Sequence, residues 1–107
     1  YVDDCVDALL LAGMSEKSNG KIYNLGSKEV VGLKDLAEMM VGLGYGGSYE
    51  LVTFPQERKA IDIGDYYSDF SLIQEELAWQ PKVSLKEGLM KTVDYYKKNK
   101  QHYWDAN

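Results

Sequence analysis

Apolar residues recur at helical spacing in four stretches of this chain and cluster at strand-like spacing in two. Val6 to Ala12 is almost wholly apolar and predicts a helix buried on most of its surface. Asp3 and Asp4 supply N-cap oxygens and favourable charge for its start, and Gly13 ends it. Tyr1-Val2 reads as the end of a preceding strand. After the turn residues Ser18-Asn19-Gly20, Ile22 to Leu25 predicts a short strand closed by Gly26. Leu33, Leu36, Ala37, Met40 and Val41 fall at i, i+3, i+4, i+7 and i+8, one face of a second helix. The glycines between Gly42 and Gly47 break it, and Tyr49 to Phe54 predicts a second strand, stopped by Pro55.

The remainder alternates loop and helix. Asp69 can cap a helix over roughly Phe70 to Ala78 that buries Leu72, Ile73 and Leu77, with Trp79 and Pro81 after its end. Ser84-Leu85-Lys86-Glu87 is a capping box, in which hydroxyl and carboxylate satisfy each other's orphan amides. The helix it opens carries Leu85, Leu89, Val93 and Tyr96 on one stripe. Gly88 costs that helix about 1 kcal/mol relative to Ala, which predicts a close packing contact. The order helix, strand, helix, strand, long loop, helix, helix is that of an α/β chain with about four helices. Its strands are separated by helices, hence parallel where they pair.

Composition narrows the class. The 107 residues suit one small domain, and 45% hydrophobic with 27% charged is the balance of a soluble globular chain. Cys5 is alone, so no internal disulfide or thiolate metal cluster can form, which fits a reducing, cytoplasmic location. No apolar run approaches the ~18 residues of a membrane span, and no signal peptide opens the chain. Tyr1 stands in the middle of a structured segment, so the chain reads as a fragment of a longer protein. The formal net charge is −5. Residues 1–81 carry 6 basic and 14 acidic side chains, whereas residues 82–107 carry 6 and 3. An acidic domain is a poor nucleic-acid binder, because that affinity needs clustered Lys and Arg. Lys91, Lys97, Lys98 and Lys100 fit the solvated face of the last helix.

Three patterns imitate active sites. Gly42-Leu43-Gly44-Tyr45-Gly46-Gly47 matches the G-x-G-x-x-G dinucleotide fingerprint, with Asp62 20 residues after Gly42. The mechanism requires strand, glycines, then a helix whose N-terminus faces the pyrophosphate. Here the glycines follow a helix, so they are turn glycines. Tyr96 and Lys100 have the Y-x-x-x-K spacing of short-chain dehydrogenases, but any Lys-rich helix with a tyrosine produces it. His102 has no second His or Cys to complete a zinc set. These residues contain neither a catalytic constellation nor a metal site.

The segment Pro55-Gln56-Glu57-Arg58-Lys59-Ala60-Ile61-Asp62 is more informative. Arg58 is the single arginine among 12 basic residues and follows a predicted strand with Lys59 beside it. A planar guanidinium suits bidentate recognition of phosphate, and Lys adds a point charge. An ordinary solvated arginine fits the same position equally well. From here the chain resembles the C-terminal, substrate-binding part of the NAD-dependent epimerase/dehydratase family, the extended short-chain dehydrogenases that modify nucleotide sugars. Tyr1-Val2-Asp3-Asp4-Cys5-Val6-Asp7-Ala8 is similar to the family's "yVdDva-A" segment. Lys21-Ile22-Tyr23-Asn24-Leu25-Gly26-Ser27 resembles its "g-yNlGs" strand and turn, and Pro55 to Asp62 its "P-x-R-x-G-D" loop. Asp69 with Glu76-Leu77-Ala78-Trp79-Gln80-Pro81 resembles "D-s-k-a…LGW-x-P", with Ala78 where Gly is usual. Leu85 to Tyr96 resembles "l-eGl--T--wy". Arg58 lies four residues before Asp62, where the family loop commonly has three.

The resemblance implies a Rossmann-type enzyme whose N-terminal dinucleotide-binding domain, with the catalytic Tyr and Lys, lies outside residues 1–107. It implies NAD or NADP in the full-length protein, none bound by this fragment, a nucleotide-diphosphate sugar as substrate, and a homo-oligomer. Arg58 or Lys59 would hold the diphosphate, and Asp62 would accept a hydrogen bond from the ribose. The implied reaction is epimerisation, with 4,6-dehydration or UDP-glucuronate decarboxylation as family alternatives. A stand-alone binding or dimerisation module without catalysis is the reading from another class.

Overall fold

Asp3 and Asp4 occupy the first turn of a 13-residue helix, α1 (Val2–Met14), in the computed structural model, which describes residues 1–59, 61, 62 and 64–104. Their charges complement the helix dipole from inside the first turn. Val2 is helical, so the strand expected to end there is absent, and Gly13 lies within the helix. The other helices are α2 (Leu33–Gly42), α3 (Gln56–Lys59), α4 (Ser71–Leu77) and α5 (Leu85–Lys98), with 3₁₀ turns at Glu16–Ser18 and Lys100–His102. The chain divides into two compact units, one of residues 2–30 and 50–82, the other of Tyr1 with residues 31–49 and 83 onward.

The first unit is built around Trp79. Ala8, Phe70, Ile73 and Trp79 are its buried core, with Tyr23, Leu25 and Leu77 packed against them. Phe70 and Trp79 meet edge to face at 6.1 Å, a favoured aromatic geometry. The Trp79 indole N–H donates to the Asp4 carbonyl at 3.0 Å, and the Lys82 backbone N–H donates to the Asp4 carboxylate at 2.9 Å. The Lys82 ammonium reaches Asp7 at 2.8 Å. These bonds staple the segment after α4 to the first turns of α1. At α4 the Asp69 carboxylate accepts the Ser71 N–H at 2.9 Å, which holds its pKa below the usual range. Ile73 and Leu77 turn inward as their spacing requires, but Leu72 is 43% exposed. The Ser68 hydroxyl donates to the Leu25 carbonyl at 2.8 Å. That approach is so close that a Cβ on Gly26 would sit 2.8 Å from the Ser68 Cβ.

The structure departs from one expectation and does not bear out another. α1 is not buried on most of its surface. Asp4 and Ala8 are its buried residues, while Leu9 and Met14 are 71% and 77% exposed. An apolar helix needs a second body to cover its other side, and this unit supplies one only along the Asp4–Ala8 edge. Nor does a β-ladder form among the described residues, so the expected pairing of parallel strands is not seen. Ile22–Leu25 is tethered through side chains instead, and the 49–54 segment is exposed. Strand backbone needs a neighbouring strand to satisfy its amides, and alternation alone cannot provide it.

In the second unit the Ser84 hydroxyl accepts the Glu87 N–H, while the Glu87 carboxylate pairs with Lys91 at 2.8 Å. Gly88 is buried because Tyr1 packs on it, leaving an added Cβ 3.3 Å from the Tyr1 Cβ. This is the close contact that a glycine inside a helix predicts. The Tyr45 hydroxyl donates to Asp94 at 2.9 Å, and the Lys97 ammonium lies 4.0 Å from the centre of the Tyr45 ring. Among the described residues no helix is long and apolar enough to cross a membrane.

Ala78 closes α4 with φ +55°, a left-handed conformation that L side chains resist. Ala78→Gly should raise the unfolding free energy by about 0.5–1 kcal/mol in chemical denaturation, since relief of the strain exceeds the added chain entropy. A loss of stability would contradict the strain.

Glu76 bridges the Lys21 ammonium and the Tyr23 hydroxyl, the latter at 2.6 Å. These bonds hold the Glu76 carboxyl below its ordinary 4.5 and push Tyr23 up to about 12. A depressed carboxylate stabilises the fold above its unfolded-state pKa, and that contribution is lost as pH falls through the folded-state value. Glu76→Gln should therefore be less stable than the parent at neutral pH and converge with it in acid. Equal differences at every pH, measured by urea unfolding, would contradict this.

Candidate functional site

Pro55 starts the segment on which the phosphate reading rests. Its carbonyl accepts the Arg58 N–H at 3.1 Å, and the Arg58 carbonyl accepts the Ile61 N–H at 3.2 Å. These bonds wind residues 56–59 into α3, a single turn with Glu57 at its start and Arg58 and Lys59 at its end. That order complements the helix dipole. The Asp62 carboxylate accepts the Gly64 N–H at 3.1 Å, which turns the chain after α3. Ala60, within the same segment, lies outside the described residues.

Arg58, Lys59 and Asp62 are all exposed, and no ion pair or side-chain hydrogen bond joins them among the described residues. Consecutive residues on a helix diverge by about 100°, so Arg58 and Lys59 leave α3 in different directions. The segment thus offers two uncommitted cations on a short, locally hydrogen-bonded turn. Exposed cations alone hold an anion weakly, because water screens them. A strong grip needs a second surface that excludes solvent.

The three imitation motifs resolve by position. Gly44, Gly46 and Gly47 have φ of +75°, +89° and +100° and follow the C-terminal end of α2. Carbonyls rather than amides point from that end, so this is not the strand–glycine–helix arrangement of a dinucleotide fingerprint. Lys100 lies beyond the end of α5, in the following 3₁₀ turn, and the Tyr96 ring packs against Tyr95, Tyr103 and Trp104. His102 is exposed beside Gln101, and no group of acidic, His and Cys residues that could hold a metal occurs among the described residues.

Two clusters escaped the sequence reading. In the Lys21–Tyr23–Glu76 cluster, the i, i+2 spacing of Lys21 and Tyr23 was a usable signal, but Glu76 lies more than 50 residues away. The other is an open groove of about 680 Å³, lined by residues of α2, of α5 and of the turn after α5, including Met40, Val93, Tyr96 and Trp104. The aromatic run at 95, 96, 103 and 104 foreshadowed it.

No family model matches the chain, and no solved structure matches it. Curated relatives do. A UDP-N-acetyl-alpha-D-glucosaminuronate decarboxylase of Bacillus cytotoxicus is 30% identical over 101 residues, which cover 91% of this chain and 31% of the relative. A UDP-glucose 4-epimerase of Mycolicibacterium smegmatis is 31% identical, over 94% of this chain and 31% of its own length. A probable GDP-L-fucose synthase of Oryza sativa subsp. japonica is 37% identical, over 92% and 29%. The chain therefore spans less than a third of the length of these relatives, and the match falls in their C-terminal part. Relatives of this kind are Rossmann-type short-chain dehydrogenases. With similarity across nearly all of its length to several nucleotide-sugar-modifying enzymes, the chain belongs to the NAD-dependent epimerase/dehydratase family.

Proposed function

We propose that this chain is the substrate-gripping, C-terminal part of an NAD(P)-dependent nucleotide-sugar epimerase, and that Arg58 holds the substrate diphosphate. The observation that carries the reading is the pair of uncommitted cations, Arg58 and Lys59, on a locally hydrogen-bonded turn within a chain of this family. Relatives named for decarboxylation, epimerisation and 4,6-dehydration match it at similar identity. What those reactions share is a nucleotide-sugar substrate, which fits a region that binds rather than reacts. A 4,6-dehydratase or a decarboxylase remains compatible with the same grip.

The residues present do not fit a dinucleotide, because the glycine turn faces the wrong end of α2. NAD or NADP would be held by another part of the full protein, where it would accept and return a hydride. In this chain Arg58, with Lys59 beside it, would neutralise the diphosphate, and Asp62 would accept from the ribose hydroxyl. Fixing these remote groups orients the sugar and lowers the entropic part of the barrier. The exposed apolar side of α1 would be covered by another body in the assembled protein.

In the full-length protein, Arg58→Ala should weaken nucleoside-diphosphate binding by roughly 10- to 150-fold, the range of a charge-assisted contact. Lys59→Ala should cost less, and Asp62→Ala should chiefly affect ligands that carry a ribose. Calorimetry on the three variants decides the matter, and unchanged affinity in both basic variants would remove the segment from the site.

The isolated chain should associate through the apolar side of α1, where Leu9, Leu10 and Met14 are exposed. Light scattering should report a dimer or larger species that Leu9→Ser shifts toward monomer. A monomer at high concentration would refute the role given to this surface.

A further inference from the structure

We propose that the groove on the second unit is a separate small-molecule site for a planar aromatic anion. Its volume of about 680 Å³ lies within the roughly 300–1,000 Å³ usual for small-molecule sites. Met40 and Val93 give it an aliphatic wall, and Tyr96, Tyr103 and Trp104 give it an aromatic one. Tyr96 meets Tyr103 at 5.0 Å and Trp104 at 5.7 Å, both edge to face. Each contact sets the edge of one ring on the face of its neighbour, and Tyr96, Tyr103 and Trp104 remain 40%, 51% and 52% exposed, which leaves part of the wall open to a further ring.

The polar atoms around the groove select the charge. The Thr92 hydroxyl is spent on the Gly88 carbonyl at 2.7 Å, and the Asn99 side chain donates to the Tyr95 carbonyl at 2.8 Å. The Tyr103 hydroxyl is shared with Tyr95 at 3.0 Å, and of the lining residues Lys97 and Lys100 carry the formal charges, beside the Tyr96 hydroxyl and the Trp104 indole N–H. Lys97 is anchored over the Tyr45 ring, and Lys100 has no ion-pair partner among the described residues. The neighbouring Lys98 likewise has none. An aromatic wall alone would also attract a cation, but these lysines repel one. A neutral aromatic compound would leave the Lys100 charge unanswered, whereas an anion uses both features. The Arg58 segment belongs to the other unit, so this inference does not rest on the diphosphate reading.

The test is equilibrium dialysis of the chain against 2-naphthalenesulfonate, with 2-naphthalenemethanol as its uncharged counterpart. Saturable binding of the sulfonate is expected, about tenfold tighter than that of the alcohol and weakened by salt. Lys100→Glu and Trp104→Ala should each weaken the sulfonate by about tenfold or more, while circular dichroism stays unchanged. Arg58→Ala and Leu9→Ser should leave it as in the parent, which separates this groove from the diphosphate segment and from general adhesion to α1. Equal binding of sulfonate and alcohol would overturn the proposal. So would binding unaffected by both groove variants, or binding lost in Leu9→Ser.

Discussion

A buried carboxylate holds the first unit together. Asp4 stands in the first turn of α1, nearly out of reach of water, where a charge is costly unless its oxygens are hydrogen-bonded. The Lys82 amide meets that need, and the Asp4 carbonyl meets the equal need of the buried Trp79 indole. Two polar demands are thus answered by a single approach of the segment after α4 to α1. The core of Ala8, Phe70, Ile73 and Trp79 is what that approach encloses. Remove the approach, and little else ties α1 to α4, because the remainder of α1 faces outward.

The same economy explains why the surface is so apolar. A chain this short buries a smaller fraction of its apolar area than a larger domain does. Here the exposed apolar residues include most of α1 and the 49–54 segment, with Ile22 and Leu33 among the others. The exposure of Arg58 and Lys59 fits the same pattern. Cations held on a short turn keep their charge available to solvent.

The two clusters that escaped the sequence share one cause. Glu76 meets Lys21 and Tyr23 because α4 packs beside the 21–25 segment, a contact across more than 50 residues. The groove exists because Met40 of α2 meets α5 and the turn after it. Neither separation leaves a periodic signal. The imitation motifs fail for the converse reason, since their spacing is local but their chemistry is not. G-x-G-x-x-G needs a helix N-terminus after it, and Y-x-x-x-K needs an unbroken helix between its members, whereas α5 ends at Lys98.

The sequence by itself determined what local physics controls. Periodicity located α2, α4 and α5. The Ser84 cap, the Asp69–Ser71 bond at the start of α4, where Phe70 rather than Asp69 is the N-cap, and the tight contact at Gly88 followed from side-chain chemistry within a few residues. Ordered motifs along the chain also sufficed for the family. Tertiary structure alone decided which apolar faces are covered, because a hydrophobic pattern specifies a need for burial and not the partner that provides it. It decided equally that the strand-like segments carry no ladder here, since a strand is completed only by another strand. And it decided the setting of Arg58 and Lys59, because the sequence names the charges while packing determines whether water or protein surrounds them.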